Sequence, residues 1–397
     1  WHFWDANWWP NWPTSAEKMM WFYEKSDGPS VDGVISFTPT FFENLLKIIG
    51  PVDLPDYHLT ISSDNFLDTI QAVVEKQPGK DDAAFINSDA NKPKKIIGDL
   101  AQVVIEVLPK RLDKNKLIAL IGTVEQSLKE KQVLFYFKDQ LLQDKAVQYG
   151  WDGSIKNTAF DYLSVVNTNI AGQKTDKVID QEITHDAQVD QSGKVIVTLK
   201  IKRIHNGKKG DIFTGVRNVD WLRVYVPLGS HLIEANGFRL PDQTYFEKSD
   251  RALAVDKDLI NETNAEVDVS SGTKIYEESS KTVFANWSMI DPGESADIVF
   301  KYELPFKIYK DNSQEKEDRW SGLKKILKME EIQLIPYTLL VQKQAGAKSV
   351  KFISNLTLPK SMSAVWRYPT GSLVNHSGWT INEDLNIDKY WAVLIQE

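Results

Sequence analysis

The chain has 397 residues, 42% of them hydrophobic, with a formal net charge of −8, a pI near 5.5 and no cysteine. This length and apolar content suffice for a proper core and two or three domains. The acidic balance, with no clustered basic footprint, argues against a nucleic-acid partner. The lack of cysteine excludes disulfides, thiolate metal sites and a cysteine nucleophile. No apolar run approaches the roughly 20 residues that a spanning helix needs. A first residue of tryptophan rather than methionine points to a processed or truncated chain, so any membrane anchor is expected upstream.

In chain order, six of the thirteen tryptophans come first: Trp1, Trp4, Trp8, Trp9, Trp12 and Trp21. In NWWPNWP, Pro10 and Pro13 favour an extended loop over a helix, and a loop of that kind must pack its rings. At least two of Trp8, Trp9 and Trp12 are expected in the core, with Trp4 or Trp9 left lining a groove. Thr14 and Glu17 stand at capping-box spacing, which predicts a helix through Tyr23 with Trp21 buried on it. VDGVISF (31–37) predicts a buried strand. Pro39 starts a helix that runs to Gly50. Short extended pieces follow at VDLP and YHLTI, then a helix after Asp64 and a polar loop, QPGKDDAAFINSDANKP. Helices are predicted from Lys94 to Leu108, closed by Pro109, and from Asp113 to Lys129. The second carries an apolar stripe at Leu117, Ile118, Leu120, Ile121 and Val124. VLFYF (133–137) is a strand and KDQLLQDKAVQYG a helix, so residues 1–150 alternate in the manner of an α/β sheet covered by helices.

After Gly150 the pattern changes to period-two alternation in runs such as KVIVTLKIKRI, WLRVYV, ADIVFKYEL and WAVLI, separated by Gly- and Pro-containing turns. The expected fold class is α+β and multidomain. Its parts are an α/β domain (1–150), a connecting segment (151–180), an antiparallel β-sandwich (181–310), and a second β-rich unit or completion of the sandwich (311–397). One helix is expected at DRWSGLKKILKMEE. The loop VVNTNIAGQKTD (165–176) is expected to be an ordered crossover, because Asn and Gly are turn residues.

Catalytic signatures are missing: no G-x-S-x-G, Walker A, G-x-G-x-x-G or H-E-x-x-H occurs. Six dispersed histidines (His2, His58, His185, His205, His231 and His376) predict no metal site from spacing. Adjacent carboxylates at Asp81-Asp82 and Glu330-Glu331 receive no role, since acid–base pairs need opposed geometry.

The run WDANWWPNWPTSAEKMMWFYEKSDGPSVDGVISFTPTFFENLLKIIGPVDLP resembles a bacterial cell-surface family of unknown function commonly found behind a membrane anchor. The resemblance continues through KPKKIIGDLAQVV and YGWDGSIKNTAFDYLSVVNTNIAGQKTDKVI, and into WLRVYVPLGSHL and YTLLVQKQAG. That family is similar to the LytR-CpsA-Psr phosphotransferases, which transfer glycopolymers from polyprenyl-pyrophosphate carriers to peptidoglycan. The resemblance implies a partial α/β/α domain of that kind, lacking the family's upstream strands, followed by an Ig-like sandwich. It also implies an extracytoplasmic place in the bacterial envelope.

It makes Asp5 the candidate catalytic residue, as a magnesium or arginine partner, and Trp4, Lys94 and Lys95 candidate ligand residues; Trp9 joins them as a groove-lining ring. The departures bear on the chemistry. Trp4 stands where the family has an arginine, lysines replace the second arginine cluster, and no arginine precedes Arg111. Arginine forks hold pyrophosphate bidentately, so their loss predicts a degenerate site that binds or organises a wall or lipid-linked glycopolymer, with no cofactor. The alternatives are an active phosphotransferase using magnesium, and a structural surface component or adhesin that self-assembles through its sandwiches.

Overall fold

The computed structural model describes residues 3–75, 95–242, 244, 246, 254–309, 334–370 and 373–396, with backbone only at residues 4, 75 and 373–375. The loop expected after residue 75, the helix expected at 318–331, and both adjacent carboxylate pairs lie outside the described residues. The chain divides into two compact units, Trp1–Ser154 and Ile155–Glu397.

In the first unit the helices are α1 (Trp12–Lys25), α2 (Pro39–Ile49), α3 (Phe66–Glu75), α4 (Lys95–Arg111), α5 (Lys114–Lys129) and α6 (Gln140–Tyr149). Its strands are β1 (Gly33–Phe37), β2 (Val52–Leu54), β3 (Leu59–Ile61) and β4 (Val133–Phe137). They form two antiparallel two-stranded ribbons, β1–β4 and β2–β3, in place of the one helix-covered sheet expected. One core gathers Phe42, Leu46, Ile49, Val52, Ile61, Ile96 and Leu100 from α2, the β2–β3 ribbon and α4. A smaller one packs Trp12 and Ala16 of α1 against Leu134 of β4.

Local rules explain most boundaries. Asp113 caps α5 by accepting from the amides of Asn115 and Lys116 at 2.9 Å each, as an N-cap carboxylate does. Asp139 caps α6 through Leu142 N, and Gly150 closes that helix at φ 71°. Three expectations fail. α1 begins at Trp12, so Pro13 falls in its first turn and Thr14 inside it, where Thr14 accepts from Asn11 Nδ2 at 2.9 Å; proline is at home in a first turn, where its missing N–H has no helical partner anyway. α4 continues past Pro109 to Arg111, whose guanidinium donates to Ile49 O (3.1 Å) and Pro51 O and so ties down the helix end. The apolar stripe of α5 is not core: Leu117, Ile118 and Ile121 are exposed.

Among the described residues, the second unit holds fifteen strands in two sheets. In chain order they are β5 (Asp161–Asn169), β6 (Ile179–Val189), β7 (Lys194–His205), β8 (Asn218–Pro227), β9 (His231–Asn236), β10 (Glu266–Val267), β11 (Lys274–Glu278) and β12 (Lys281–Ile290). After them come β13 (Ser295–Lys307), β14 (Ile335–Val341), β15 (Val350–Thr357), β16 (Ser363–Tyr368), β17 (Leu373–Asn375), β18 (Gly378–Leu385) and β19 (Lys389–Gln396). The larger sheet runs β10-β11-β12-β8-β5-β14-β19-β16 and the smaller β17-β18-β15-β6-β7-β13-β9. Alternate residues of both sheets meet in one core, including Leu199, Ile201, Leu222, Val224, Phe300, Phe352, Trp391 and Val393, as period-two burial requires.

Two departures stand out. The sheets are mixed, because β14 pairs parallel with β5 and β15 pairs parallel with β6. Periodicity reports faces and carries no information on strand direction, so an all-antiparallel sandwich could not be distinguished beforehand. Moreover, the segment expected to connect domains contains β5, an inner strand of the larger sheet; the turn of VVNTNIAGQKTD occupies only its last part.

The two parallel pairings form a seam, and a buried polar network lies on it. His185 (β6) stands opposite Ser354 (β15) in register, with Nδ1 3.3 Å from Ser354 Oγ. Its Nε2 lies 3.2 Å from Asp161 Oδ2 of β5, in the other sheet. Tyr337 (β14) donates to the same Asp161 oxygen at 2.5 Å, and Trp379 Nε1 donates to Ser354 Oγ at 3.1 Å. Asp161, His185, Tyr337 and Ser354 are all fully buried. Burial and the Asp161 charge push the Tyr337 hydroxyl well above the usual tyrosine range, so it stays a donor.

A second buried cluster joins the sheets elsewhere. Arg203 Nη1 lies 2.9 Å from Asp220 Oδ2, and the guanidinium also donates to Ser288 Oγ (3.1 Å) and Asn218 Oδ1 (3.2 Å). Burial raises the Asp220 carboxyl to about 6 against the lowering pull of Arg203.

Asp161→Ala leaves the Tyr337 hydroxyl and the His185 ring buried without their acceptor. The expected cost is about 2–5 kcal/mol, read from urea unfolding, and a loss under 1 kcal/mol would refute this role. Asp220 supplies a pH test. A folded-state value raised above the ordinary one favours the fold at low pH, and that contribution is lost as pH rises from about 4 through about 6. Relative to Asp220→Asn, the natural chain should therefore lose about 3 kcal/mol across that window. Unfolding midpoints of the two chains that run parallel from pH 4 to 7 would contradict it.

Candidate functional site

Of the N-terminal site residues singled out by sequence, the side chains of Asp5, Trp9 and Lys95 are described. Asp5 sits half-buried in a short 3-10 turn, Phe3–Asp5, while the Trp4 side chain, Trp1 and Lys94 lie outside the described residues. Lys95 opens α4 with its side chain exposed. Trp9 is 4% exposed and so lines no groove; its carbonyl accepts from Ser15 Oγ at 2.8 Å, and the Lys18 ammonium stands 5.3 Å from its ring centroid. Trp12 is equally buried, with its Cβ against Gly153. Gly153 is at φ 60°, and a Cβ there would come within 2.9 Å of both Trp12 and Leu134. Trp21, expected in the core, is 52% exposed: α1 buries Trp12, Ala16 and Met20, and position 21 turns away from that face.

The described side chains do not build a magnesium site around Asp5. No set of three or more acidic or histidine side chains converges among the described residues, and Arg111, the first arginine, is occupied by backbone carbonyls. The Ser354–His185–Asp161 chain has the residue types of a nucleophilic triad. All three are sealed in the core, however, so no substrate carbonyl can reach the serine.

The best-formed candidate surface is one that sequence reasoning missed. On the outer face of the larger sheet, β19 presents Tyr390, Ala392 and Leu394, while its alternate residues Trp391, Val393 and Ile395 enter the core. β16 pairs Trp366 with Leu394 and Tyr368 with Ala392, which places both rings on that same outer face. Trp366, Tyr368 and Tyr390 are 50%, 52% and 44% exposed, and the Tyr368 and Tyr390 centroids lie 6.2 Å apart. Ala392, opposite Tyr368, is buried at 9% exposure. The signal was present in SAVWRYP, where Trp366 and Tyr368 fall at alternate positions, and in Tyr390 of DKYWAVLIQ, but assigning them to one face requires the β16–β19 register.

The whole is thus a mixed α/β chain with a small helical unit and a large double-sheet unit. Residues 1–74 match the model of a family described as a protein of unknown function (DUF4012). No curated protein matches. Among solved structures, a protein described as nutrient-binding from Legionella pneumophila is 8% identical, with a TM-score of 0.28, over 59% of this chain and 71% of its own. An M1 zinc metallopeptidase from Deinococcus radiodurans is 10% identical, with a TM-score of 0.24, over 57% of this chain and 43% of its own. This chain spans about two fifths of that peptidase. Likenesses this slight give no ground for peptidase chemistry here.

The revised placement of the tryptophans is testable. Trp12→Ala should destabilise the first unit by about 3–5 kcal/mol, whereas Trp21→Ala should change stability by no more than about 0.5 kcal/mol. Denaturant unfolding followed by far-UV circular dichroism distinguishes the two, and equal effects would contradict the assignment.

Proposed function

We propose that this is an extracytoplasmic protein of the bacterial cell envelope that binds an envelope glycopolymer through the aromatic face of its larger sheet. Its first unit is, in this reading, a degenerate relative of the LytR-CpsA-Psr phosphotransferases, and its double sheet an elaborated Ig-like sandwich. The observation that carries the reading is the exposure of Trp366, Tyr368 and Tyr390 on one face of the sheet, with Tyr368 and Tyr390 6.2 Å apart and inclined at 54°. A sugar ring offers an apolar C–H face bordered by hydroxyls; Tyr and Trp offer a flat apolar face with one polar tip. Three exposed rings on one sheet face, outside any concave pocket, fit successive sugars of an extended chain better than they fit a compact ligand, which needs such a pocket.

Catalysis is not part of the proposal. Pyrophosphate transfer depends on arginine forks that stabilise developing charge, and the only arginine before the double-sheet unit holds a turn.

The test uses purified neutral wall polysaccharide and isothermal titration calorimetry. Trp366→Ala and Tyr390→Ala should each weaken binding at least tenfold, from stacking contributions of about 1.5 kcal/mol or more, with circular dichroism unchanged. Trp21→Ala, an exposed ring elsewhere, should bind as the natural chain does. No measurable binding by the natural chain, or equal binding by all variants, would sink the proposal.

A further inference from the structure

Among the described residues, β1 pairs only with β4, and its other edge carries no strand. In the β1–β4 ribbon, Phe135 N donates to Trp151 O and Phe137 N to Gln143 Oε1, both at 2.9 Å, so these β4 residues turn their backbone away from β1. Their cross-strand partners are Ile35 and Gly33. Facing residues of this non-bonded type point their N–H and C=O groups outward on both sides. On β4 the outward side is occupied; on β1 the outward groups of Gly33, Ile35 and Phe37 have no partner among the described residues. The side chains beside them are also uncovered, with Ile35 54% and Phe37 43% exposed.

This edge differs from those of the large sheets, which are blunted in recognised ways. β10 has two residues and β17 three, β16 is interrupted by a register shift between Ala364 and Trp366, and the β9 pairing shifts between Lys301 and Tyr302. GVISF has no charge, proline or bulge to discourage pairing. A row of outward N–H and C=O groups at strand spacing is matched in full only by another extended strand.

We propose that β1 docks a second copy of this chain, the two β1 strands pairing antiparallel about Ile35 to join two ribbons into one four-stranded sheet. The edge is self-complementary. With Ile35 on the two-fold axis, both outward groups of Gly33, Ile35 and Phe37 on each protomer are satisfied. The Phe37 ring then lies over the partner's Gly33, whose missing Cβ leaves the gap an aromatic fills. Gly33 is fixed for an independent reason, because a Cβ there would sit 2.3 Å from Tyr136 O. The flanking Asp32 comes opposite the partner's Thr38, so no like charges meet. The exposed side chains of Ile35 and Phe37 then extend, across the pair, the row that the half-buried Phe135 and Phe137 form on the same face of each ribbon. A five-residue edge buries less than the roughly 1,200 Å² of a standard interface, so the dimer is concentration-dependent. This pairing is independent of the glycopolymer reading, which concerns the other unit.

The absence of cysteine makes a register test clean. Directly bonded antiparallel partners have Cα atoms about 5.5 Å apart, inside the roughly 4.4–6.8 Å range of a disulfide. Under mild oxidation, Ile35→Cys should give a disulfide-linked dimer at least tenfold faster than Ser36→Cys, which faces the other side of the strand, or Leu141→Cys, an exposed control. In sedimentation equilibrium, Ile35→Lys should weaken association at least tenfold, with circular dichroism unchanged. Cross-linking at 35 no faster than at 141 would overturn the proposal, as would association indifferent to Ile35→Lys. A chain monomeric at every concentration, with the 35 thiol shielded from reagents, would place a different strand on this edge and overturn it equally.

Discussion

The double sheet depends on the seam where β5 meets β14 and β6 meets β15. Strands from the beginning and the end of the second unit pair there in parallel, and nothing local brings them together. Long-range pairing must overcome loop-closure entropy before contacts reward it. Asp161, His185, Tyr337 and Ser354 supply one contact from each of the four strands. A slip of one residue in any strand would put its polar group on the wrong face and leave the others buried without partners. The apolar residues around the network make the seam stable; the network makes its register unique. Arg203 and Asp220 play the same part between β7 and β8, at the greater desolvation cost of a buried ion pair.

The first unit is built on another principle. Its described residues form no large sheet; one small core gathers α2, the β2–β3 ribbon and α4, and another packs α1 on β4. Trp9 and Trp12 provide bulk that a five-residue strand cannot. That economy leaves much apolar surface uncovered, on α5, α6 and the outer face of β1–β4.

Sequence patterns located nearly every described helix, because caps and stops are local: Asp113, Asp139, Thr38-Pro39, Gly50 and Gly150 all mark observed ends. The strands of the second half were legible from alternation for the same reason. Direction and partnership were not, since a parallel seam between residues 161 and 339 leaves no local trace. The tryptophan run misled in a specific way. Trp12 and Pro13 looked like a helix-free loop because proline was weighed as a breaker, although in a first turn it is a starter. The aromatic face was invisible because Trp366 and Tyr368 come to share a face with Tyr390, and Tyr368 comes within 6.2 Å of it, only through the β16–β19 register.

In the proposed reading, stability and recognition fall to different residues of the same kinds. Aromatics that close a core, such as Trp391 and Trp12, are buried on every side, whereas Trp366, Tyr368 and Tyr390 stand half-exposed on a sheet whose inner face already satisfies the fold. Removing an outer ring costs the core little, so its exposure is tolerated where solvent-facing polar residues would be the ordinary choice. Backbone edges follow the same logic. The large sheets end in strands too short or too irregular to pair further, whereas among the described residues the small β1–β4 ribbon leaves a regular five-residue edge open. Ring faces select flat ligands with apolar surfaces, and an open edge selects a strand. The two surfaces differ in chemistry, lie in separate units, and can be altered independently.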